Sequence, residues 1–375
     1  SATPSVDAYY QAQNGTYRLF ELNNRYENRQ MPEVYSVDLR EELKQGNRSI
    51  LSGILQEKIE DRLKKKEQIM LFLNRRGYAG FFSCRSCGTV MKCPHCDVSL
   101  SQHRNGKLVC HYCGYETRQP QQCPVCGSPY IGGFRAGTQQ IEEIVKKRFS
   151  QARVLRMDLD TTRKKEGHTN ILAAFANQEA DILIGTQMIV KGHDFPKVTL
   201  VGVLAADLSL NISDYRASER TFQLLTQAAG RAGRGEKPGE AIIQTYQPEH
   251  YSIQAAMHQD YRAFYEEEIG YRKLLGYPPA SNLLAIHGSC GNEELLETGM
   301  QYIRKFLNRV DSHGQLQIIG PADETVSKIA DMYRKVIYVK QEDHQLLLRA
   351  KGRLEQYIEV NSGFREIRIQ LDFNH

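Results

Sequence analysis

The chain has 375 residues, enough for two or three domains that each bury a core, which excludes a single small module. Its 49 lysines and arginines against 44 aspartates and glutamates give a net charge of +5, a mild bias that permits nucleic acid as a partner without requiring it. No apolar run approaches the ~18 residues that cross a membrane, and the chain does not begin like a signal peptide. The composition therefore predicts a cytoplasmic protein without membrane attachment.

The first two thirds of the chain predict alternating strands and helices. Apolar residues recur at helical spacing over residues 49–66. Further helices are predicted over 139–149, 168–177 and 217–229, and strands over 69–73, 154–157, 182–184, 198–206 and 241–246. Strands that alternate with helices of this length indicate an α/β domain with a mostly parallel sheet. Its active edge is expected at the carboxyl ends of the strands.

The pattern changes after a long predicted helix over 250–275, which the Gly-Tyr-Pro-Pro segment at 276–279 must end. Beyond it, strands are predicted at 283–289, from 316 to either 319 or 329, at 335–340 and at 366–373, with helices at 293–310 and 344–360. This β-α-β-β-α-β order predicts an α+β ferredoxin-like domain.

Eight of the nine cysteines lie between positions 84 and 126, in four CxxC pairs that interrupt the α/β pattern. The cysteines therefore belong to an insertion in a loop of the α/β domain. In a reducing compartment, clustered pairs of this kind favour thiolate metal ligands over disulfides, and a thiol-exchange site needs only one pair. Four pairs supply the ligands of two Cys₄ zinc sites, which are structural because protein fills every coordination position.

The residues between the second and third pairs favour a nested pairing of these sites. Alternating residues on either side of Asn105-Gly106, a preferred hairpin turn, place those two pairs side by side. The inner zinc then has Cys93, Cys96, Cys110 and Cys113 as ligands, and the outer zinc has Cys84, Cys87, Cys123 and Cys126. This arrangement also joins the two ends of the insertion. A sequential pairing stays open, because the sequence does not fix connectivity.

Two segments of the α/β domain carry residues suited to phosphate. Residues 185–196 form a glycine-punctuated loop after the strand at 182–184, with backbone amides for a phosphate and Asp194 for a ribose or a neighbouring charge. At the end of the helix over 217–229, Arg231 and Arg234 lie three residues apart among small residues. Two guanidinium groups can clamp a polyphosphate, although a basic helix end that stops at glycine has the same composition.

Together these segments resemble the motifs of superfamily 2 helicases. Residues 1–5 resemble motif III, 72–80 motif IV, 185–196 motif V and 227–234 motif VI. The CxxC insertion after motif IV and the Leu-Gly-Tyr-Pro-Pro segment at 275–279 narrow the resemblance to the primosomal replication-restart helicases, the PriA family. The resemblance implies lobe 2 of a RecA-like motor with an inserted double Cys₄ module, followed by an S10-like DNA-binding domain.

The resemblance also implies an activity: an ATP-dependent 3′-5′ DNA helicase that recognises and remodels stalled replication forks. Such an enzyme promotes primosome assembly and so reloads the replicative helicase. The implied partners are forked or single-stranded DNA, primosome proteins, the helicase loader and single-stranded-DNA-binding protein. The implied cofactors are two Zn²⁺ per chain, with ATP and Mg²⁺ in the full-length protein.

Residue roles follow from the same resemblance. Arg231 and Arg234 would be the arginine fingers acting on the γ-phosphate, and Gln227 would sense nucleotide. Ala228 stands where superfamily members often carry an arginine, so that contact is absent.

The remaining roles fall in the motif V segment. Gly192 and Asp194 would contact nucleotide, with Asp194 coupling nucleotide to lobe closure, and Thr186 would contact a DNA phosphate.

The sequence contains neither a P-loop nor the acidic motif that holds Mg²⁺. We therefore expect the C-terminal part of a longer helicase, which does not hydrolyse ATP alone. The expected division is 1–25 as the end of lobe 1, 26–82 with 128–250 as lobe 2, 83–127 as the zinc insertion, 251–280 as a linking helix and 281–375 as the C-terminal domain. The alternatives are a non-catalytic zinc-ribbon scaffold for nucleic acid or protein, and another superfamily 2 translocase.

Overall fold

A computed structural model describes the chain with short gaps. The described residues are 1–375 without 23–29, 74–81, 96–97, 104–105, 112, 134–136, 159–160, 163–166, 190–193, 213, 312 and 375. Cys96, Gly192, Asn105 and most of the motif IV segment therefore lie outside the described residues. Among the described helices, none is both long enough and apolar enough to cross a membrane.

The α/β domain has a six-stranded parallel sheet, in which the strands lie side by side in the order 33–38, 240–245, 198–203, 68–72, 182–185 and 154–157. Its strands are β1 (Glu33–Asp38), β2 (Gln68–Phe72), β8 (Val154–Met157), β9 (Ile182–Gly185), β10 (Val198–Val203) and β11 (Glu240–Thr245). Every residue of β2, β9 and β10 is buried, as expected for parallel strands covered on both faces. The α/β prediction is confirmed.

Helices cover both faces of this sheet. They are α1 (Val6–Gln13), α2 (Leu39–Lys44), α3 (Gly53–Lys64), α4 (Thr138–Arg148), α5 (Gly167–Ala176), α6 (Asp207–Leu210) and α7 (Ala217–Ala229). Helices α3 and α4 pack on one face and α5 and α7 on the other, where Val6 of α1 joins the same core. Helix α7 is the most deeply seated of these, because nine of its residues are buried.

The predicted long helix over 250–275 is wrong, because the chain forms two helices there. Helix α8 (Tyr251–His258) ends at Gln259, whose φ of +53° is left-handed, and Asp260 then caps α9 (Tyr261–Leu275) by accepting the Ala263 N–H. Helix α9 itself ends at Gly276, with φ +63°.

The C-terminal domain has the predicted β-α-β-β-α-β order. Its elements are β12 (Asn282–Cys290), α10 (Glu293–Val310), β13 (Gln317–Ile329), β14 (Met332–Gln341), α11 (His344–Val360) and β15 (Arg368–Phe373). The antiparallel sheet has the strand order β13-β14-β12-β15, and both helices pack on one face of it. The ferredoxin-like prediction is confirmed.

The cysteine insertion lies between β2 and α4 and contains two small sheets. Strands β3 (Phe82–Cys84) and β7 (Ile131–Gly133) pair antiparallel and close its two ends. Strands β4 (Ser101–Gln102), β5 (Lys107–Val109) and β6 (Glu116–Arg118) form an antiparallel meander. The predicted hairpin is its first pair, and β6 is a third strand that the sequence pattern does not predict.

Helix α8 generates a prediction about acid stability. The Nδ1 atom of His250 accepts the Ser252 N–H at 3.2 Å and caps the helix. Burial, assisted by the charge of Lys92, lowers the pKa of His250 to about 4. Because this pKa lies below the ordinary value, the stability from neutral His250 is complete above pH 6.5 and is lost as the pH falls toward 4. His250→Asn keeps a cap acceptor and does not titrate.

We expect His250→Asn to reduce the loss of unfolding free energy between pH 7 and pH 4.5 by about 2 kcal/mol. Urea unfolding at the two pH values measures this loss. His258→Asn, at an exposed position of the same helix, is the control. Equal acid sensitivity in the two variants would contradict the prediction.

Candidate functional site

The described CxxC segments share one backbone turn. The N–H of the first cysteine donates to the carbonyl five residues later, as in Cys84 to Thr89 at 2.8 Å and Cys93 to Val98 at 2.8 Å. In three segments the residue after the second cysteine has a left-handed φ of +77°, +80° or +69°, and it is glycine each time: Gly88, Gly114 and Gly127. The sequence signal is therefore CxxCG, because glycine adopts this conformation without strain.

These turns gather the sulfur atoms into two groups. In the outer group, Cys84, Cys87, Cys123 and Cys126 have all four sulfurs within 4.8 Å of one another, and the Cys84–Cys126 and Cys87–Cys123 sulfurs are 3.7 and 3.6 Å apart. These distances match the edge of roughly 3.8 Å that a tetrahedron with ~2.3 Å zinc–sulfur bonds has.

In the inner group, Cys93, Cys110 and Cys113 lie together, with the Cys93 and Cys113 sulfurs 3.5 Å apart. Cys96, the fourth predicted ligand, lies outside the described residues. The structure thus brings the seven described cysteines of the insertion together in the nested grouping and not in the sequential one.

The electrostatics of the inner group favour a bound cation. Burial, together with the neighbouring Cys110 and Cys113, raises the pKa of the Cys93 thiol to about 12. Cys93 therefore keeps its proton unless a positive charge compensates the thiolate. A divalent metal supplies that charge and deprotonates its sulfur ligands.

The insertion contacts both of the larger domains. The outer group lies against the end of β11, where the amide nitrogen of Gln247 donates to the Gly88 carbonyl at 3.4 Å. The inner group lies against the C-terminal domain, where Nδ1 of His111 is 3.1 Å from the Asp323 carbonyl oxygen. The module is therefore fixed between the carboxyl edge of the parallel sheet and strand β13.

The arginine loop, residues 230–235, is fixed by close backbone packing. A Cβ on Gly233 would lie 2.4 Å from the Gly239 nitrogen, and a Cβ on Gly235 would lie 2.3 Å from the Pro196 carbonyl oxygen. The Gly233 N–H also donates to the Val198 carbonyl at 3.0 Å. Gly233, between the two arginines, and Gly235, directly after the second, are thus required by the close approach of the backbone that leads into β11 and β10.

Arg234 and Asp194 form an ion pair within the predicted site, with guanidinium and carboxylate 3.7 Å apart. The Nε of Arg234 donates to the Gly230 carbonyl at 2.9 Å. Burial and the charge of Arg234 lower the pKa of Arg231, while Asp194 opposes this shift. A bound anion would relieve the destabilised charge of Arg231, so the loop is suited to a polyphosphate.

The structure separates the predicted site residues between the two edges of the sheet. Thr186 follows β9 at the carboxyl edge, whereas Asp194 and the arginine loop lie at the amino edge beside Val198, the first residue of β10. The predicted site residues therefore lie at both edges of the sheet, and not all at the carboxyl ends of the strands. Helix α7 runs from the carboxyl edge to the amino edge and carries the arginines with it.

Gln227 contacts Thr3, a residue of the predicted motif III segment for which the sequence predicts no individual role. Its amide nitrogen lies 3.5 Å from the Thr3 hydroxyl oxygen, and Thr3 is buried. The motif III segment therefore packs on the helix that carries motif VI.

Three family descriptions match the chain. Residues 93–118 match the PriA DNA helicase Cys-rich region domain, 133–236 the helicase conserved C-terminal domain, and 273–374 the primosomal protein N C-terminal domain. The match to the PriA Cys-rich region includes Cys96, the fourth cysteine predicted for the inner site.

Curated relatives resemble the chain along its length. Replication restart protein PriA of Bacillus subtilis (strain 168) is 47% identical over 379 residues, covering 100% of this chain and 46% of the relative. The proteins of the same name from Synechocystis sp. and Haemophilus influenzae are 44% and 36% identical, covering 95% and 98% of this chain and 44% and 50% of the relatives. The chain thus spans about half the length of these relatives.

The contact of the outer group with the sheet generates a prediction. A Cβ on Gly88 would lie 2.4 Å from the Tyr246 carbonyl oxygen, whereas a Cβ on Gly127 would meet nothing within 4 Å. Both glycines have a positive φ, so an alanine at either costs about 1 kcal/mol of strain. Gly88→Ala should cost a further 1–3 kcal/mol or so, because it also displaces the turn from the sheet.

Urea unfolding of the zinc-loaded chain measures both costs, with Gly127→Ala as the matched control. Equal losses of unfolding free energy in the two variants would show that the outer turn is not seated on Tyr246.

Proposed function

This chain belongs to the PriA family of replication restart proteins, and from that membership we propose that it is the C-terminal part of an ATP-dependent 3′-5′ DNA helicase. The full-length enzyme recognises and remodels stalled or abandoned replication forks and promotes primosome assembly, which reloads the replicative helicase. The observation that carries the motor assignment is the rigid arginine loop beside Asp194, which is built to meet an anion.

The proposed organisation assigns residues 1–25 to the end of lobe 1, and 26–82 with 128–250 to lobe 2. Residues 83–127 form the zinc insertion, 251–280 link the domains, and 281–375 form a DNA-binding domain. The chain has no P-loop and no acidic Mg²⁺ motif, so ATP and Mg²⁺ are held mainly by the rest of the full-length protein. The chain alone does not hydrolyse ATP.

In this proposal, Arg231 and Arg234 approach the γ-phosphate from lobe 2 and stabilise the charge that develops during phosphoryl transfer. Asp194 orients Arg234 through their ion pair, and Gly192 offers backbone to the nucleotide. Gln227, in the last turn of helix α7 before the arginine loop, senses nucleotide. Thr186, at the opposite edge of the sheet, contacts a DNA phosphate.

Each cysteine group binds one Zn²⁺, which gives two per chain. The metals are structural, because cysteines fill all four positions of each site and none remains for water. Their chemistry is to hold the insertion folded between the two larger domains. The partners are forked or single-stranded DNA, primosome proteins, the helicase loader and single-stranded-DNA-binding protein, and the enzyme works in the cytoplasm.

The arginine assignment gives a kinetic prediction. In the full-length protein, Arg231→Ala or Arg234→Ala should lower kcat of the DNA-stimulated ATPase by a factor on the order of 10³, because an arginine finger acts on the transition state. Arg153→Ala, which removes an exposed ion pair with Asp181 elsewhere in the lobe, is the control and should change kcat little.

An unchanged rate in both arginine variants would remove the finger assignment. A wild-type full-length protein without DNA-stimulated ATPase would instead favour the non-catalytic zinc-ribbon scaffold.

The nested zinc sites give a prediction about metal content. The wild-type chain should contain two zinc ions, and Cys290→Ser should keep both, because Cys290 is buried in the C-terminal domain. The double variant Cys87→Ser/Cys123→Ser should keep one ion, because both ligands belong to the outer site. The double variant Cys87→Ser/Cys93→Ser should lose both.

Atomic absorption on dialysed protein gives these counts. A sequential pairing predicts the opposite counts. Cys87→Ser/Cys123→Ser would then lose both ions, and Cys87→Ser/Cys93→Ser would lose one.

A further inference from the structure

Helix α7 offers the motif III segment a series of polar side chains spaced by four residues. Glu219 accepts the Val6 N–H at 3.0 Å, Gln223 donates to the Pro4 carbonyl at 3.4 Å, and Gln227 reaches Thr3 at 3.5 Å. Side chains at this spacing share one face of a helix. The three contacts, which we call the polar ladder, align residues 3–6 with the helix that ends in the arginine loop.

The end of the polar ladder farthest from the arginine loop is clamped by a buried ion cluster. Arg272 of helix α9 donates to Glu219 at 2.6 Å and to Glu268 at 2.7 Å, and all three side chains are at most 6% exposed. Charge-assisted hydrogen bonds of this length, shielded from water, fix geometry strongly. Glu219 therefore holds Val6 with one oxygen and Arg272 with the other.

Arg272 also reaches the connection to the C-terminal domain. Its guanidinium donates to the Pro278 carbonyl at 2.9 Å and lies 5.3 Å from the ring of Tyr215. Tyr215 stacks on Tyr277, with ring centres 4.8 Å apart and planes 3° from parallel. The ammonium of Lys340, in strand β14, lies 3.5 Å from the centre of the Tyr277 ring. A continuous set of contacts thus joins the C-terminal sheet to helix α7.

We propose that Glu219 and Arg272 are positioning residues, which set the register of residues 3–6 on helix α7 and tie that register to the C-terminal domain. The register matters because the arginine loop begins where α7 ends, about 15 Å from Glu219 along a rigid helix. A displacement of the C-terminal domain reaches Pro278 and Arg272 first, then Glu219, and through α7 the arginine loop. The catalytic consequence rests on the proposed function, whereas the register itself does not.

Hydrogen exchange of the zinc-loaded chain tests the register. Arg272→Lys keeps the positive charge but lacks the planar guanidinium that donates to three acceptors. Glu219→Gln keeps the shape of the side chain but places a neutral amide, in place of the carboxylate, against the guanidinium. Either variant should speed exchange of the amides of residues 6–9 about tenfold or more, while helix α3 (Gly53–Lys64) keeps its protection. Lys273→Arg, at an exposed position of helix α9, is the matched control.

Two exchange results would overturn the proposal. One is unchanged exchange at residues 6–9 in both variants. The other is an equal increase throughout the α/β domain, because this would mean that the cluster only supports the fold.

Steady-state kinetics of the full-length protein test the catalytic consequence. Both variants should lower kcat of the DNA-stimulated ATPase by about tenfold to a hundredfold, because a small misplacement of catalytic groups has costs of this size. KM for ATP should stay within about twofold, because the arginine pair acts in the transition state. A normal kcat alongside faster exchange would overturn the link to the arginine loop. If the wild-type enzyme lacks the ATPase, the proposed function fails, and the exchange result alone decides the register.

Discussion

The ion cluster of Glu219, Glu268 and Arg272 is the interaction on which the arrangement of this chain depends. A guanidinium almost removed from water is tolerated only when carboxylates compensate it, and loss of one partner from such a pair costs about 3–5 kcal/mol. Burial raises the pKa of Glu268, although Arg272 and the Tyr251 hydroxyl both favour its charged form. Helix α7, helix α9 and the residues around Val6 therefore have one mutual arrangement that satisfies all three charges.

A second constraint is the close approach of backbone to backbone at glycines. Gly88 lies against the carbonyl of Tyr246 at the carboxyl edge, and Gly233 lies against Gly239 at the amino edge. Neither position has room for a Cβ, so each contact fixes a loop more firmly than side-chain packing would. Close contacts between glycine and neighbouring backbone thus hold the zinc insertion at one end of strand β11 and the arginine loop at the other.

The sequence predicted the parts of the fold that have a local signal. Continuous apolar runs predicted β2, β9 and β10, and the CxxC spacing with a hairpin turn predicted the nested cysteine groups. Strand β1 was not predicted, because it mixes polar and apolar residues and pairs only with β11 at the edge of the sheet. The break between helices α8 and α9 at Gln259 was not predicted, because a glutamine in the left-handed conformation has no sequence signature. The pairing of Arg272 with Glu219 spans 53 residues, so no periodicity reveals it.

The position of the arginines has a simple topological cause with a functional consequence. A crossover helix between parallel strands begins at the carboxyl edge and ends at the amino edge, so residues at its end lie far from a loop such as that of Thr186. The motor lobe thus separates its predicted DNA contact from its arginine loop by the length of a strand. Helix α7 is the element that spans this distance. It also carries Glu219, which Arg272 of helix α9 contacts, so contacts made by α9 and the C-terminal domain reach the arginine loop along one rigid axis.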